Sequence, residues 1–121
     1  MTKKKASSFL KDIIAQNPES IRAYVAGDWL DNLDEYDKPE DYYNDLMKGG
    51  CQSGIISGLI YYKDTHAFYD KYYNEIEDIR FELEGATGES LKPSGDLKNW
   101  YAWLGFEETA RTIAEEMGID L

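Results

Sequence analysis

The sequence predicts an all-α fold, with a single compact domain of five or six helices over residues 1–121. Apolar residues recur at intervals of three and four along most of the chain, which is typical of amphipathic helices. No segment shows the two-residue alternation of a half-buried strand. A length of 121 residues suits one domain and allows a core without disulfides or metals.

Three helices are predicted in the N-terminal half. The first covers "FLKDIIAQ", is capped by Ser7 or Ser8, and follows a flexible basic segment at residues 1–6. The second covers "PESIRAYVAG" and ends at Gly27. The third covers "EDYYNDLMK", where Pro39 is typical of a first helical turn.

The next segment, "CQSGIISGLIYYK", is largely apolar and is compatible with a buried strand or a short helix. Gly50, Gly54 and Gly58 recur every four residues, and on a helix they would form a smooth ridge that another backbone can approach. We therefore favour a helix here.

The two longest helices are predicted at about 65–84 and 96–117. In the first, apolar residues at steps of three or four form one stripe: Phe68, Tyr72, Ile76, Ile79 and Leu83. In the second, one face carries Trp100, Trp103, Phe106, Ala110, Ile113 and Met117. We expect these two long helices and the shorter ones to pack around one core.

The net charge of −11 excludes several classes of function. Phosphate binding is driven by lysine and arginine, so direct nucleic-acid binding is not expected. Docking on an anionic membrane is disfavoured for the same reason, and no run approaches the ~20 apolar residues of a membrane span. We expect a basic protein surface as partner and the bacterial cytoplasm as location, although net charge also simply keeps proteins dispersed.

Residue types for catalysis are few, and we expect no enzyme activity, metal or cofactor. Cys51 is the only cysteine and His66 the only histidine, so neither a disulfide nor a thiolate zinc cluster can form within the chain. The two residues would be the candidates for a nucleophile and base if an enzyme were present. The glycine-rich "KGGCQSG" lacks the phosphate-loop pattern.

The most unusual segment is "DWLDNLDEYDKPEDYYND" at residues 28–45, which holds eight carboxylates and one lysine. Closely spaced carboxylates resemble the phosphate spacing of DNA, and tyrosines are preferred interface anchors. A solvated connector remains the alternative, since Asp and Glu are common at helix starts. The predicted partner-binding residues are Asp31, Asp34, Glu35, Tyr36, Asp37, Glu40, Asp41, Tyr42 and Tyr43.

Two stretches carry a resemblance to a known family: "CQSGIISGLIYYKDTHAFYDKYYNEIEDI" and the later "GDLKNWYAWLGFEETARTIAEEMGI". Over roughly residues 40–121 the chain resembles an uncharacterised domain family of small acidic proteins from phages, plasmids and other mobile elements. In size and charge it is similar to anti-restriction DNA mimics and anti-CRISPR proteins. The resemblance implies a setting in host defence and transfers no catalytic residue.

These observations predict a small acidic interaction protein that binds a basic surface, most concretely an inhibitor of a host nucleic-acid-binding defence complex. The alternative is an accessory or regulatory helical domain that docks through tyrosines, with the glycine ridge packing a helix in a homodimer. The tyrosines of this alternative are Tyr61, Tyr62, Tyr69 and Tyr73.

Overall fold

The computed structural model describes residues 1–49, 62–87 and 97–119. Within these ranges six α-helices and one short 3-10 helix form the structure, which confirms the predicted all-α fold. The α-helices are α1 (Lys3–Gln16), α2 (Ile21–Asn32), α3 (Pro39–Gly49), α4 (Tyr62–Lys71), α5 (Tyr73–Thr87) and α6 (Leu97–Glu116). The 3-10 helix, Leu33–Glu35, lies between α2 and α3.

Helix α1 begins earlier than the sequence predicts. The side chain of Thr2 accepts a hydrogen bond from the backbone N of Lys5 at 3.1 Å and caps the helix. Ala6 and Leu10 are fully buried, and Ile13 further along the helix is also buried. Residues 3–6 of the predicted flexible segment 1–6 are therefore helical, because packing of this face outweighs three lysines at a helix start.

The stretch predicted as one helix at 65–84 is divided at Tyr72 into α4 and α5. Backbone hydrogen bonds still run through the division, from Tyr72 N to the Phe68 carbonyl at 3.0 Å and from Ile76 N to the Tyr72 carbonyl at 2.9 Å. Helix α6 confirms the second long helix, and Gly118 follows it with a φ of 80°, a conformation that favours glycine.

Helix α6 is central, since α2, α3, α4 and α5 all contact it, while α1 packs on α2. Aromatic rings fill the space between them: Tyr24 lies 5.0 Å from Phe68 and 6.3 Å from Phe106, centroid to centroid. Helices α5 and α6 approach closely at Gly105, where an added Cβ would lie 2.7 Å from Ile76 Cγ1. The core therefore lies along α6.

Several predictions lie outside the described residues. These are the element over the apolar stretch 51–61, the ridge of Gly50, Gly54 and Gly58, and the candidate nucleophile Cys51.

Candidate functional site: the acidic segment between α2 and α3

The acidic segment consists of the last turn of α2, the 3-10 helix, a bend at residues 36–38 and the first turns of α3. Leu33 is buried and holds the 3-10 helix against the core. Tyr36 is extended (φ −118°, ψ 150°), and its backbone N donates to the Leu33 carbonyl at 3.4 Å. The indole Nε1 of Trp29 donates to the Pro39 carbonyl at 3.2 Å, so buried α2 is tied directly to the start of α3.

Two of the three tyrosines predicted as partner contacts belong to the core. Tyr42 is fully buried, stacks on Trp29 with ring centroids 4.7 Å apart, and donates its hydroxyl to Asp28 Oδ2 at 2.7 Å. Tyr43 is 6% exposed. With Leu46 they form a stripe at helical spacing, a signal that was present in the sequence. Both rings are therefore packed inside this fold and expose little area, while their role in partner binding stays a prediction.

Tyr36 is the tyrosine of the predicted set that remains half-exposed. Its hydroxyl donates to Asp45 Oδ2 at 2.9 Å, and its ring meets that of Tyr42 edge-on at 6.3 Å. Desolvation raises the pKa of Tyr36 to about 12, and the hydrogen bond to Asp45 adds to the rise. The ring is therefore fixed in place with an uncharged hydroxyl at neutral pH.

The pKa of Asp28 is raised to about 6, first because burial disfavours its charged form and also because Asp31 is nearby. The hydrogen bond from Tyr42 opposes this rise. Asp28 is thus a structural carboxylate beneath the segment.

The eight acids of the segment separate into two groups. Asp28 and Asp45 accept the tyrosine hydroxyls, and Asp41 Oδ2 accepts the backbone N of Lys38 at 3.2 Å, which stabilises the start of α3. The remaining five have neither a hydrogen bond nor an ion pair within the described part of the chain. They are Asp31, Asp34, Glu35, Asp37 and Glu40. All but the half-buried Glu40 are exposed.

The tyrosines of the alternative prediction are not equivalent in the structure. Tyr69 is 8% exposed and donates its hydroxyl to Glu77 Oε1 at 2.8 Å, so it belongs to the core. Tyr73 is 50% exposed and meets Tyr69 edge-on at 5.5 Å. Tyr61 and the side chain of Tyr62 lie outside the described residues.

His66 lies half-buried on α4. Across residues 1–49, 62–87 and 97–119, no group of three or more His, Cys, Asp or Glu side chains is placed to hold a metal ion. Nor does any helix in these ranges combine the length and apolar character needed to cross a membrane.

Fold and site together define a small all-α domain with an acidic connection between its second and third helices. The chain belongs to a family described as a domain of unknown function, DUF7222, whose profile matches residues 1–119. This confirms the resemblance to an uncharacterised domain family. No curated protein and no solved structure matches the chain.

Proposed function

We propose that this chain is a small acidic interaction protein that binds a basic surface of a partner protein through the acidic segment. The docking surface consists of Asp31, Asp34, Glu35, Tyr36, Asp37, Glu40 and Asp41, and we refer to it as the acidic surface. Tyr42 and Tyr43 support it from the core.

The observation that carries the proposal is that only some of the acids form hydrogen bonds within the described part of the chain. Three of the eight carboxylates accept hydrogen bonds that stabilise the fold, two from tyrosine hydroxyls and one from the backbone at the start of α3. Five further carboxylates within residues 31–40 have no internal partner among the described residues, although like charges this close repel one another. A basic partner would relieve this repulsion, whereas a connector needs no such concentration of charge.

The expected binding mode is electrostatic steering followed by a small apolar contact. Carboxylates exposed to solvent mainly raise the association rate and select against acidic partners. Tyr36 is half-exposed and held by Asp45, so it can enter an interface with little loss of side-chain freedom. Binding should therefore weaken with salt, because exposed charges are screened.

In its most concrete form the partner is a nucleic-acid-binding complex of a bacterial defence system, and the chain is its inhibitor in the host cytoplasm. A groove that binds phosphates offers arginine and lysine side chains at the spacing of a nucleic-acid strand, and closely spaced carboxylates can occupy it as a DNA mimic. Resemblance to small acidic proteins of phages and mobile elements supports this form, as does similarity in size and charge to anti-CRISPR and anti-restriction inhibitors.

The test compares two charge-reversal variants as baits in affinity capture from a bacterial lysate. The patch variant replaces four exposed acids of the acidic surface by lysine: Asp31, Asp34, Glu35 and Asp37. The control variant replaces four exposed acids elsewhere by lysine: Asp12, Glu19, Asp70 and Glu115. Asp70 and Glu115 form only exposed ion pairs, with Lys98 and Arg111, whose loss costs little. Each changes the net charge from −11 to −3, so the location of the charge is the only difference.

We expect the wild type and the control variant to retain the same nucleic-acid-binding protein at low salt, with duplex DNA displacing it. The patch variant should lose it while keeping the wild-type circular dichroism spectrum and unfolding midpoint. Equal retention by the patch variant would show that the acidic surface is a solvated connector.

A second candidate is an accessory domain that docks through an aromatic surface on α5. It is favoured by two exposed rings, Tyr73 at 50% and Phe81 at 74% exposure. Burial of such rings is little screened by salt, so a partner retained at high salt and lost in Phe81→Ser would favour this function.

A further inference from the structure

A groove separate from the acidic surface runs between α5 and α6, with the first residues of α2 at its margin. Its volume is about 570 Å³, within the range of pockets that bind ligands. The part contributed by α5 reaches from Glu75 to Ala86, which is about 16 Å along a helix at 1.5 Å per residue. This length matches about three turns of a second helix laid alongside.

The apolar side chains that line the groove come from α5 and the start of α2, while α6 contributes polar and charged residues. Ile79 and Leu83 are half-buried, and Ala86 is exposed at one end. From α6, Thr109 is buried beside them. An apolar lining of this kind suits the apolar stripe of an amphipathic helix, whose side chains at i, i+3, i+4 and i+7 contact such a groove.

The bases at the groove are already neutralised. Arg22 pairs with Glu116 at 2.6 Å. Arg111 pairs with Glu108 and, at 3.2 Å, with Glu115. They therefore offer little free positive charge to an acidic ligand.

The acids of α5 differ from these bases because only some of them have a partner within the described residues. Glu75 Oε2 accepts the backbone N of Ile21 at 2.7 Å, at the start of α2. Glu77 and Glu84 both pair with Arg80. This leaves Asp78 and Glu82, both exposed on the groove.

Neither Asp78 nor Glu82 has a hydrogen bond or an ion pair within the described residues. They are four residues apart on one helix face, where like charges are mutually unfavourable. The groove thus combines an apolar lining with two carboxylates that no internal cation balances.

We propose that this groove binds a basic amphipathic helix of another protein, with apolar side chains on Ile79 and Leu83 and lysines or arginines on Asp78 and Glu82. A helix is favoured over an extended peptide because the described part of the chain has no strand edge to extend. A second copy fits poorly, since each copy has a net charge of −11. The basic helix of the chain, α1, already packs its apolar face on α2.

The site does not depend on the acidic surface, and its test keeps the two apart. The probe is a synthetic helical peptide of leucine and lysine with leucines at i, i+3, i+4 and i+7. Two further peptides serve as controls: one with glutamate in place of lysine, and one with the lysine peptide scrambled so that the apolar stripe is lost. Binding is measured by isothermal titration to the full chain.

Two variants alter the groove. Asp78→Lys/Glu82→Lys reverses the two carboxylates, and Ala86→Trp fills the groove from an exposed position where folding is not at risk. Asp12→Lys/Asp70→Lys is the control with the same change in net charge, at two exposed residues outside both the groove and the acidic surface.

We expect the lysine peptide to bind the wild type and the Asp12/Asp70 control alike, and to bind each groove variant about tenfold more weakly, as surface ion pairs and lost apolar contacts would give. The glutamate and scrambled peptides should not bind. Absence of binding, equal binding of the scrambled peptide, or unchanged binding to both groove variants would overturn the proposal. Any of these results would leave the acidic surface untested and so unaffected.

Discussion

The carboxyl group of Glu107 on α6 gives the sharpest prediction about stability. Its Oε1 is buried without a hydrogen-bond partner among the described residues. Desolvation raises the pKa of Glu107 to about 7 from an ordinary 4.5, and neighbouring Glu108 adds to the rise. We predict that Glu107→Gln stabilises the protein at neutral and alkaline pH.

The magnitude follows from the two pKa values. Their difference corresponds to at most about 3 kcal/mol, since each tenfold change in an equilibrium constant is about 1.4 kcal/mol. Solvent reaches part of the side chain and screens its charge, which reduces the figure to about 1–2 kcal/mol. Because the folded protein holds this proton more tightly than the unfolded chain, stability is lost as the pH rises from about 4.5 to about 7.

The assay is urea denaturation of the wild type and Glu107→Gln at about pH 5.5 and about pH 8, the lower value chosen to stay above the pI of about 4.4. The variant should gain about 1 kcal/mol relative to the wild type between the two pH values. Exposed Glu82→Gln is the control and should show little gain. A gain in Glu107→Gln that is the same at both pH values, or no gain, would refute desolvation as the cause.

Two further predictions concern packing and buried hydrogen bonds. Gly105→Ala should cost up to about 2 kcal/mol, because overpacking against Ile76 costs about 1–3 kcal/mol and better helix propensity returns about 1 kcal/mol. Gly27→Ala, whose Cβ would lie 4.0 Å from its nearest neighbour, should instead stabilise the protein by about 0.5–1 kcal/mol. Equal effects of the two substitutions on the thermal unfolding midpoint would contradict the close approach of α5 and α6 at Gly105. Tyr42→Phe should cost about 1–2 kcal/mol at neutral pH by leaving Asp28 without its donor, and unchanged stability in urea would contradict this.

The all-α class and the position of α6 were predictable because aromatic residues at helical spacing mark a core face regardless of partners. Phe106 and Ile113, both fully buried, lie on the predicted stripe. The early start of α1 was not predictable from the sequence, because three lysines at a helix start are unfavourable. Only the tertiary packing of Ala6 and its neighbours offsets them. The division at Tyr72 has no sequence signal that we can identify.

The acidic segment itself was predictable from the sequence, whereas the internal contacts of its residues were predictable only in part. Charge density alone identifies the segment, and five of its eight acids are exposed. The burial of Tyr42 and Tyr43 was not predicted, because the acids around them indicate an exposed surface. The stripe that the two tyrosines form with Leu46 indicates burial instead. Which acids are used internally depends on three-dimensional contacts, such as Tyr36 with Asp45, that spacing does not reveal.

The most direct test of the acidic surface is the salt dependence of affinity for the protein that the wild type retains from the lysate. Dissociation constants would be measured for the wild type, the patch variant and the control variant between about 50 mM and about 500 mM salt. We predict a steep loss of affinity with salt for the wild type and the control variant, and weak binding with a shallow dependence for the patch variant. Equal salt dependence in all three proteins would contradict the proposal that these carboxylates contact the partner.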